Sequence, residues 1–351
     1  MRYRQFGKTG WRVSEIGFGG ARIGGLFAQD GGRVTSLRML EAACDAGINF
    51  FDTADMYSQG ESEILIGKAF RKKRDKVFIA TKGGYCVPGQ KRLIQLIKPI
   101  AKPIVRAIGL RRSAIPAALS GTLSQDFSPG YLRKAVEASL RRLQSDYIDL
   151  YQIHSPPREE LRGTRLQDAL GLLARLKAEG KIREYGIALD SVDDAAHCLG
   201  MEGIASLQMP FGLMDLEALD SVFDKVSERH YGIITRACFG GGALKQSLTE
   251  ADLRAIEPKW ERVLQIRQLA EQMQRSPLEA ALQFSLCIER ISVTILGMRT
   301  PQHLAANLRY YAAKPLSNEE KCKLLAHELA IRVGEPVASL QSWVQQCDIQ
   351  P

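Results

Sequence analysis

The sequence predicts a (β/α)8 barrel of the TIM type, preceded by a β-hairpin, with an extended basic loop after strand three and a C-terminal helix and tail. Three observations carry that prediction. Eight short apolar runs alternate in succession with segments of helical character. The runs are continuously apolar, as strands are when a parallel sheet is covered outside and packed within. The 351 residues, 45% hydrophobic and 25% charged, suffice for a large core without metals or disulfides. A doubly wound open sheet is the rival arrangement. It would want G-x-G-x-x-G after its first strand, and "GFGGARIGG" spaces its glycines otherwise. Barrels of this length are commonly one domain, so the reading is one domain over residues 1–351, with an insertion at about 84–127 and a tail at about 315–351.

The elements follow in order. "RYRQFG", the turn "KTG" and "WRVSEIG" read as a hairpin over residues 2–17. "SEIGFG" precedes a helix near Val34–Ala46, and "INFFD" one near Ser62–Arg71. "KVFIATK" precedes the basic segment and then a helix near Pro129–Leu143. "YIDLYQIH" leads to "RLQDALGLLARLKAEG", which closes on Gly180 as a helix C-cap should. "IREYGIAL" precedes Val192–Leu199, "IASLQM" precedes Leu216–Arg229, "YGIITRA" precedes Lys259–Gln274, and "ISVTILG" precedes Gln302–Tyr311. A last helix is expected over Ser317–Arg332.

The net charge is +9, but seven cations (Lys91, Arg92, Lys98, Lys102, Arg106, Arg111 and Arg112) against the one acid Asp126 lie between Gly84 and Phe127. So concentrated an excess is not the layout of a general nucleic-acid binder. Seven scattered cysteines without C-x-x-C spacing argue against a disulfide framework and a zinc site, and favour a reducing, cytoplasmic compartment. No basic start leads into a long apolar run, and no apolar stretch approaches roughly 18 residues. Neither a secretory signal nor a membrane span is expected.

In a barrel of this kind the C-terminal ends of the strands carry the chemistry. Four polar groups fall there: Asp52 after "INFF", Tyr57 on the loop beyond, Lys82 after "VFIAT" and His154 after "DLYQI". A carboxylate beside a lysine favours the ammonium, and the ammonium favours a tyrosinate, making the tyrosine a better acid. A histidine within reach can orient a carbonyl oxygen or help move its proton. Singly, each has an ordinary reading as a helix cap, a solvated lysine or a structural histidine. Together, on neighbouring strand ends, they form a mutually compatible set.

Those residues and their surroundings resemble the aldo-keto reductase superfamily. "GINFFDTADMYSQGESEILIGKAF" looks like its Asp/Tyr signature, "VFIATK" like its lysine strand and "SDYIDLYQIHSP" like its histidine strand. "GKIREYGIA", "LQMPFGLMD" and "VTILGMRTPQHLAANL" resemble later landmarks in the right order, so the likeness spans roughly residues 2–312 around the basic segment. The resemblance implies a (β/α)8 barrel that binds a nicotinamide cofactor without a Rossmann fold and needs no metal. Carried over, Tyr57 is the general acid/base, Lys82 makes it more acidic, Asp52 pairs with Lys82, and His154 orients the carbonyl. Gln208 holds the carboxamide, and Gly297, Arg299, Thr300, His303 and Asn307 grip the adenosine phosphate and adenine. A loop entering a helix N-terminus suits a phosphate, and Arg299 offers a planar cation for a 2′-phosphate, so NADP(H) is preferred with NAD(H) the alternative. Two departures stand out. Ala188 and Leu189, followed by Asp190, replace a Ser-Asn pair that the family often turns to the carboxamide. Arg236 stands where an aromatic often stacks on the nicotinamide, and as a cofactor-binding residue its guanidinium can stack there or reach the pyrophosphate.

The implied activity is interconversion of a carbonyl and an alcohol on a small-molecule substrate, anionic or bulky if the basic segment forms part of its pocket. "SVTILGM" and the missing Ser-Asn pair also look like a galactose-dehydrogenase branch, which leaves open a sugar dehydrogenase using NAD(P)+. A non-catalytic NADPH-binding regulatory subunit is the alternative outside catalysis. The basic segment "GQKRLIQLIKPIAKPIVRAIGLRR" reads as a substrate lid, as an amphipathic element on a membrane or partner, or as a solvated insertion. Pro99, Pro103 and Pro116 would break a long helix there, which weakens the membrane reading. Trp343 in the tail is a candidate pocket wall or a packing residue.

Overall fold

The computed structural model describes residues 1–24, 32–86, 124–223 and 231–333. Eight parallel strands close a barrel: β3 (Ile16–Gly19), β4 (Phe50–Asp52), β5 (Phe78–Gly83), β8 (Ile148–His154), β9 (Ile182–Ala188), β10 (Ser206–Pro210), β11 (Gly232–Arg236) and β12 (Val293–Gly297). Each pairs with the next in that order, and β12 returns to β3, so no edge is left unpaired. Ahead of the barrel, β1 (Tyr3–Gln5) and β2 (Arg12–Ser14) form the expected antiparallel hairpin.

The alternation along each strand sorts side chains into two cores. Outward residues such as Ile79, Tyr151, Ile187, Leu207 and Leu296 pack against the helices. Inward residues Phe50, Ala80, Leu150, Ile234, Val293 and Ile295 form a separate cluster inside the barrel, plugged from below by Phe6, Trp11 and Val13 of the hairpin. Phe6 stacks on Trp11 and on Phe50, with centroids 5.6 and 5.7 Å apart, and Trp11 on Phe78 at 5.1 Å. Gly232 is required there, because a Cβ would meet the Phe6 ring at 2.4 Å. Two residues further along β4, β5 and β8, the same inward positions turn polar: Asp52, Lys82 and Gln152, with His154 beyond. The barrel interior is apolar at its N-terminal end and ionic at its C-terminal end.

The helices are α1 (Gly32–Asp45), α2 (Glu61–Phe70), α3 (Pro129–Leu143), α4 (Arg158–Leu161), α5 (Thr164–Ala178), α6 (Val192–Cys198), α7 (Glu250–Ile256), α8 (Trp260–Gln272), α9 (Pro277–Cys287), α10 (Pro301–Ala312) and α11 (Asn318–Val333). Eight fall within a few residues of the sequence expectation. Three are additions: α4, α7 and α9. α9 lies between the predicted helix over 259–274 and the last strand, and Ala280 through Leu286 are all buried, which erases the amphipathic pattern that marks a surface helix. Of the helix expected over Leu216–Arg229 a single wide turn, Leu219–Phe223, is described. The basic stretch 87–123, the tail 334–351 and with it Trp343 lie outside the described residues. At the root of the basic stretch a further antiparallel pair, β6 (Tyr85–Cys86) and β7 (Ser124–Gln125), draws its two ends together. Among the described residues no helix is long and apolar enough to cross a membrane.

Candidate active site

Lys82 ends the inward row of β5 with 1% of its surface exposed. A buried ammonium is costly unless its protons are matched. Here three acceptors surround it: both carboxylate oxygens of Asp52 at 2.7 Å and the Thr53 carbonyl at 2.9 Å. Gln208 reaches across the barrel from β10, its Nε2 donating to Asp52 Oδ1 at 2.9 Å. The acid, the lysine and the glutamine singled out in the sequence are thus one hydrogen-bonded unit.

The loop after β4 remains tied to β5. Thr53 N–H donates to the Ala80 carbonyl at 2.8 Å and Asp55 N–H to the Lys82 carbonyl at 3.0 Å. That places the Tyr57 ring over the pair, with Lys82 Nζ 5.2 Å from its centroid. The chain then turns through three consecutive left-handed residues, Ser58 (φ 50°), Gln59 (φ 61°) and Gly60 (φ 84°), before α2 begins. Such conformations cost non-glycine residues about 1–3 kcal/mol each and gather at functional sites. At Gly60 a Cβ would also meet Arg142 Cδ at 2.7 Å.

His154, at the end of β8, lies edge-on to Tyr57, with centroids 5.9 Å apart and planes at 83°. Burial holds its imidazole well below the usual histidine range, and the charges of Lys82 and Arg236 push the same way. It is therefore neutral near pH 7 and able to donate a hydrogen bond. Its Nδ1, and both amide atoms of Gln152 two residues earlier, are buried without a hydrogen-bond partner among the described residues.

Arg236, at the end of β11, is tied to the segment that follows β9. Its Nη2 donates to the Leu189 carbonyl at 2.9 Å and to Asp190 Oδ1 at 2.6 Å. Asp190 thus engages Arg236, one departure from the family pattern meeting the other. The remaining predicted cofactor residues form a second cluster beyond β12. Gly297 is exposed, with open space where a Cβ would stand. Thr300 caps α10, its hydroxyl accepting from His303 N–H at 3.2 Å, and Arg299 N–H donates to His303 Nδ1 at 3.4 Å. Buried Asn307 donates to the Gly297 carbonyl at 3.5 Å. Arg299 is exposed beside this N-terminus.

Three residues at the mouth escaped the sequence reading. Tyr85 of β6 sets its ring against His154 at 4.9 Å and 88°. Burial raises its phenol, with Asp190 adding and a bond to Ser155 opposing. Gln125 of β7 donates to the carbonyls of His154 and Ser155. Both sit at the ends of the insertion, where no local pattern marks them. Asp55 lies on the loop between Asp52 and Tyr57. Its Oδ1 is sealed, and burial, aided by the charge of Glu63 and opposed by Arg142, lifts the carboxyl to about 7. Glu63 itself accepts from Thr81 Oγ1 at 2.6 Å and from Arg142 Nε at 2.5 Å.

A parallel barrel that gathers buried ionisable groups at its strand C-termini has the layout of a barrel enzyme. The sequence profile of the Aldo/keto reductase family matches residues 15–327, and the chain belongs to that family of oxidoreductases. It is 30% identical over 319 residues to D-threo-aldose 1-dehydrogenase of a Pseudomonas species, covering 87% of this chain and 91% of that one. An aldo-keto reductase of Bacillus subtilis is 28% identical over 324 residues, 87% of each chain. Among solved structures, the holo form of an aldo-keto reductase from Bacillus halodurans superposes with a TM-score of 0.74 at 26% identity, covering 93% of this chain and 96% of that one. Glycerol dehydrogenase of Gluconobacter oxydans gives 0.71 at 25%, covering 95% and 97%.

Proposed function

We propose that the protein interconverts a carbonyl and an alcohol on a small molecule, with NADP(H) preferred over NAD(H) and Asp52, Tyr57, Lys82 and His154 as the catalytic groups. The observation that carries this reading is the buried Lys82–Asp52 pair lying under the Tyr57 ring, 5.2 Å from ammonium to centroid. The donor set fits a nicotinamide dinucleotide. Gln208 lies beside the catalytic pair for a carboxamide. The open backbone at Gly297, the cation of Arg299 and the N-terminus of the 12-residue α10 suit a phosphate. β10, β11 and β12 are adjacent in the barrel, which supports one extended path between these groups.

The bound nicotinamide would supply hydride to the carbonyl carbon. The protein's part is then to manage charge on the oxygen. Neutral His154 donates a hydrogen bond to that oxygen, and Tyr57 gives it a proton, completing the alcohol. The phenolate left on Tyr57 faces the Lys82 ammonium, whose own charge is balanced by Asp52. Solvent returns the proton to Tyr57. In the oxidising direction the same groups run in reverse, Tyr57 taking the alcohol proton.

A second reading, oxidation of an aldose at its anomeric carbon, is supported by the 30% identity to D-threo-aldose 1-dehydrogenase. One experiment separates the readings: NADPH and NADH consumption, and NADP+ and NAD+ reduction, across aldehydes, ketones and free sugars. Turnover with carbonyls and NADPH supports the first, and sugar-dependent reduction of NAD(P)+ the second. Tight cofactor binding with no turnover in either direction would overturn both in favour of a regulatory NADPH-binding subunit.

A further inference from the structure

The pair β6–β7 lies outside the barrel ladder, yet both its strands meet the histidine at the barrel mouth. Gln125 spends its side-chain amide on main chain, Nε2 donating to the His154 carbonyl at 3.1 Å and the Ser155 carbonyl at 2.9 Å. Tyr85, its register partner, lies edge-on to the imidazole at 4.9 Å, and Tyr57 does the same at 5.9 Å. The imidazole is therefore flanked by two phenol rings while its own carbonyl is gripped from the insertion root.

The turn that follows needs such a grip. Ser155 holds φ +46°, a left-handed conformation that a non-glycine residue keeps only when its surroundings over-determine it. Its N–H is fixed to the Ala188 carbonyl at 2.7 Å, and its C=O to Gln125 at 2.9 Å. The two ties hold both sides of the strained residue, one from the barrel and one from the insertion root.

We propose that Gln125 is a positioning residue for His154: its amide fixes the 154–155 turn so that the imidazole stays wedged between Tyr57 and Tyr85. The inference rests on the carbonyl-reducing role given to His154 above. The groups facing that imidazole are Lys82 of β5, Arg236 of β11, Tyr57 of the loop after β4 and Tyr85 of β6. A Gln125 variant substitutes none of these side chains, so a change in the histidine reports on its placement relative to them.

The test compares the full-length wild type with Gln125→Met, which keeps length and loses the amide. The readouts are turnover of NADPH with 4-nitrobenzaldehyde, NADPH affinity by quenching of tryptophan fluorescence, and titration of the His154 ring by NMR, assigned among the five histidines with a His154 variant. The expected result is a kcat lower by about 10- to 100-fold, as misplacement of a reacting group produces. NADPH affinity should stay within about twofold, and His154 should titrate nearer the ordinary histidine range. Wild-type kcat and titration would overturn the proposal. So would a loss of thermal stability and cofactor affinity with His154 titrating as before, since that marks a structural tie only. Should Gln125→Met fail to fold, Gln125→Asn, which keeps a shorter amide, carries the same measurements. Absence of turnover in the wild type would sink the proposed reaction, while the His154 titration would still decide the positioning role.

Discussion

At its N-terminal end the barrel is filled by Phe6, Trp11, Phe50 and Phe78 and tied at the rim by Arg4, which bonds Glu15 Oε1 at 2.8 Å and the carbonyls of Ile288 and Ile291 at 2.7 Å. At the other end Asp52 and Lys82 are buried, and Gln152 and His154 hold buried polar atoms with no partner among the described residues. The backbone differs in the same sense. Of six non-glycine residues at positive φ among the described residues, two (Gln144 and Gln274) close helices, while Ser58, Gln59, Ser155 and Ala237 all lie on loops leaving β4, β8 and β11. One end is dominated by stacked rings and matched ions, with Ser206 Oγ an exception, unmatched among the described residues. The other gathers strain and unmatched polarity next to Tyr57, His154 and Arg236.

The largest effect that would sharpen this contrast is Tyr57→Phe. Losing the general acid should lower kcat by about 10³-fold, with the melting temperature unchanged. A drop of less than tenfold in steady-state assays would break the assignment. The mirror experiment is Trp11→Ala. Removing a large buried ring should cost about 3–4 kcal/mol in denaturant unfolding, with kcat/KM of the folded enzyme unaltered. Altered turnover would show that the two ends are coupled.

Asp55 gives a pH-dependent test. Its carboxyl titrates at about 7 when folded, against about 3.9 in an unfolded chain. The folded state thus binds this proton more tightly, so Asp55 costs little below about pH 4, and stability is lost progressively as pH rises to about 7. Asp55→Asn should raise stability at pH 8 by about 3 kcal/mol and much less at pH 4.5. Equal effects at both pH values, read from unfolding midpoints, would refute it. The smallest effect belongs to Gln152→Leu. Replacing a buried amide that lacks partners should stabilise by about 1 kcal/mol, and a destabilised variant would mean that the amide is matched in solution.

How far the sequence reveals this arrangement depends on whether a feature is local. Asp52, Lys82, His154 and Gln208 fall at or near the C-terminal ends of short, mostly apolar runs, where a polar residue stands out by contrast. Helix α9 hides because Ala280–Leu286 are buried all round. Tyr85 and Gln125 are 40 positions apart and meet only through the β6–β7 register, so nothing near either one in sequence marks the partnership. Asp55 is inconspicuous because its raised ionisation comes from burial in the folded chain, with the charge of Glu63 on α2 adding to it, and neither is visible around residue 55 in the sequence.

The clasp formed by β6 and β7 also separates two kinds of inheritance. It needs only two residues on each side, and its partners, Tyr131 Oη on the Tyr85 carbonyl at 2.8 Å and Gln125 on the histidine turn, belong to the barrel and its root. The sequence strung between Cys86 and Ser124 can therefore change in length and character while the reacting groups keep their places.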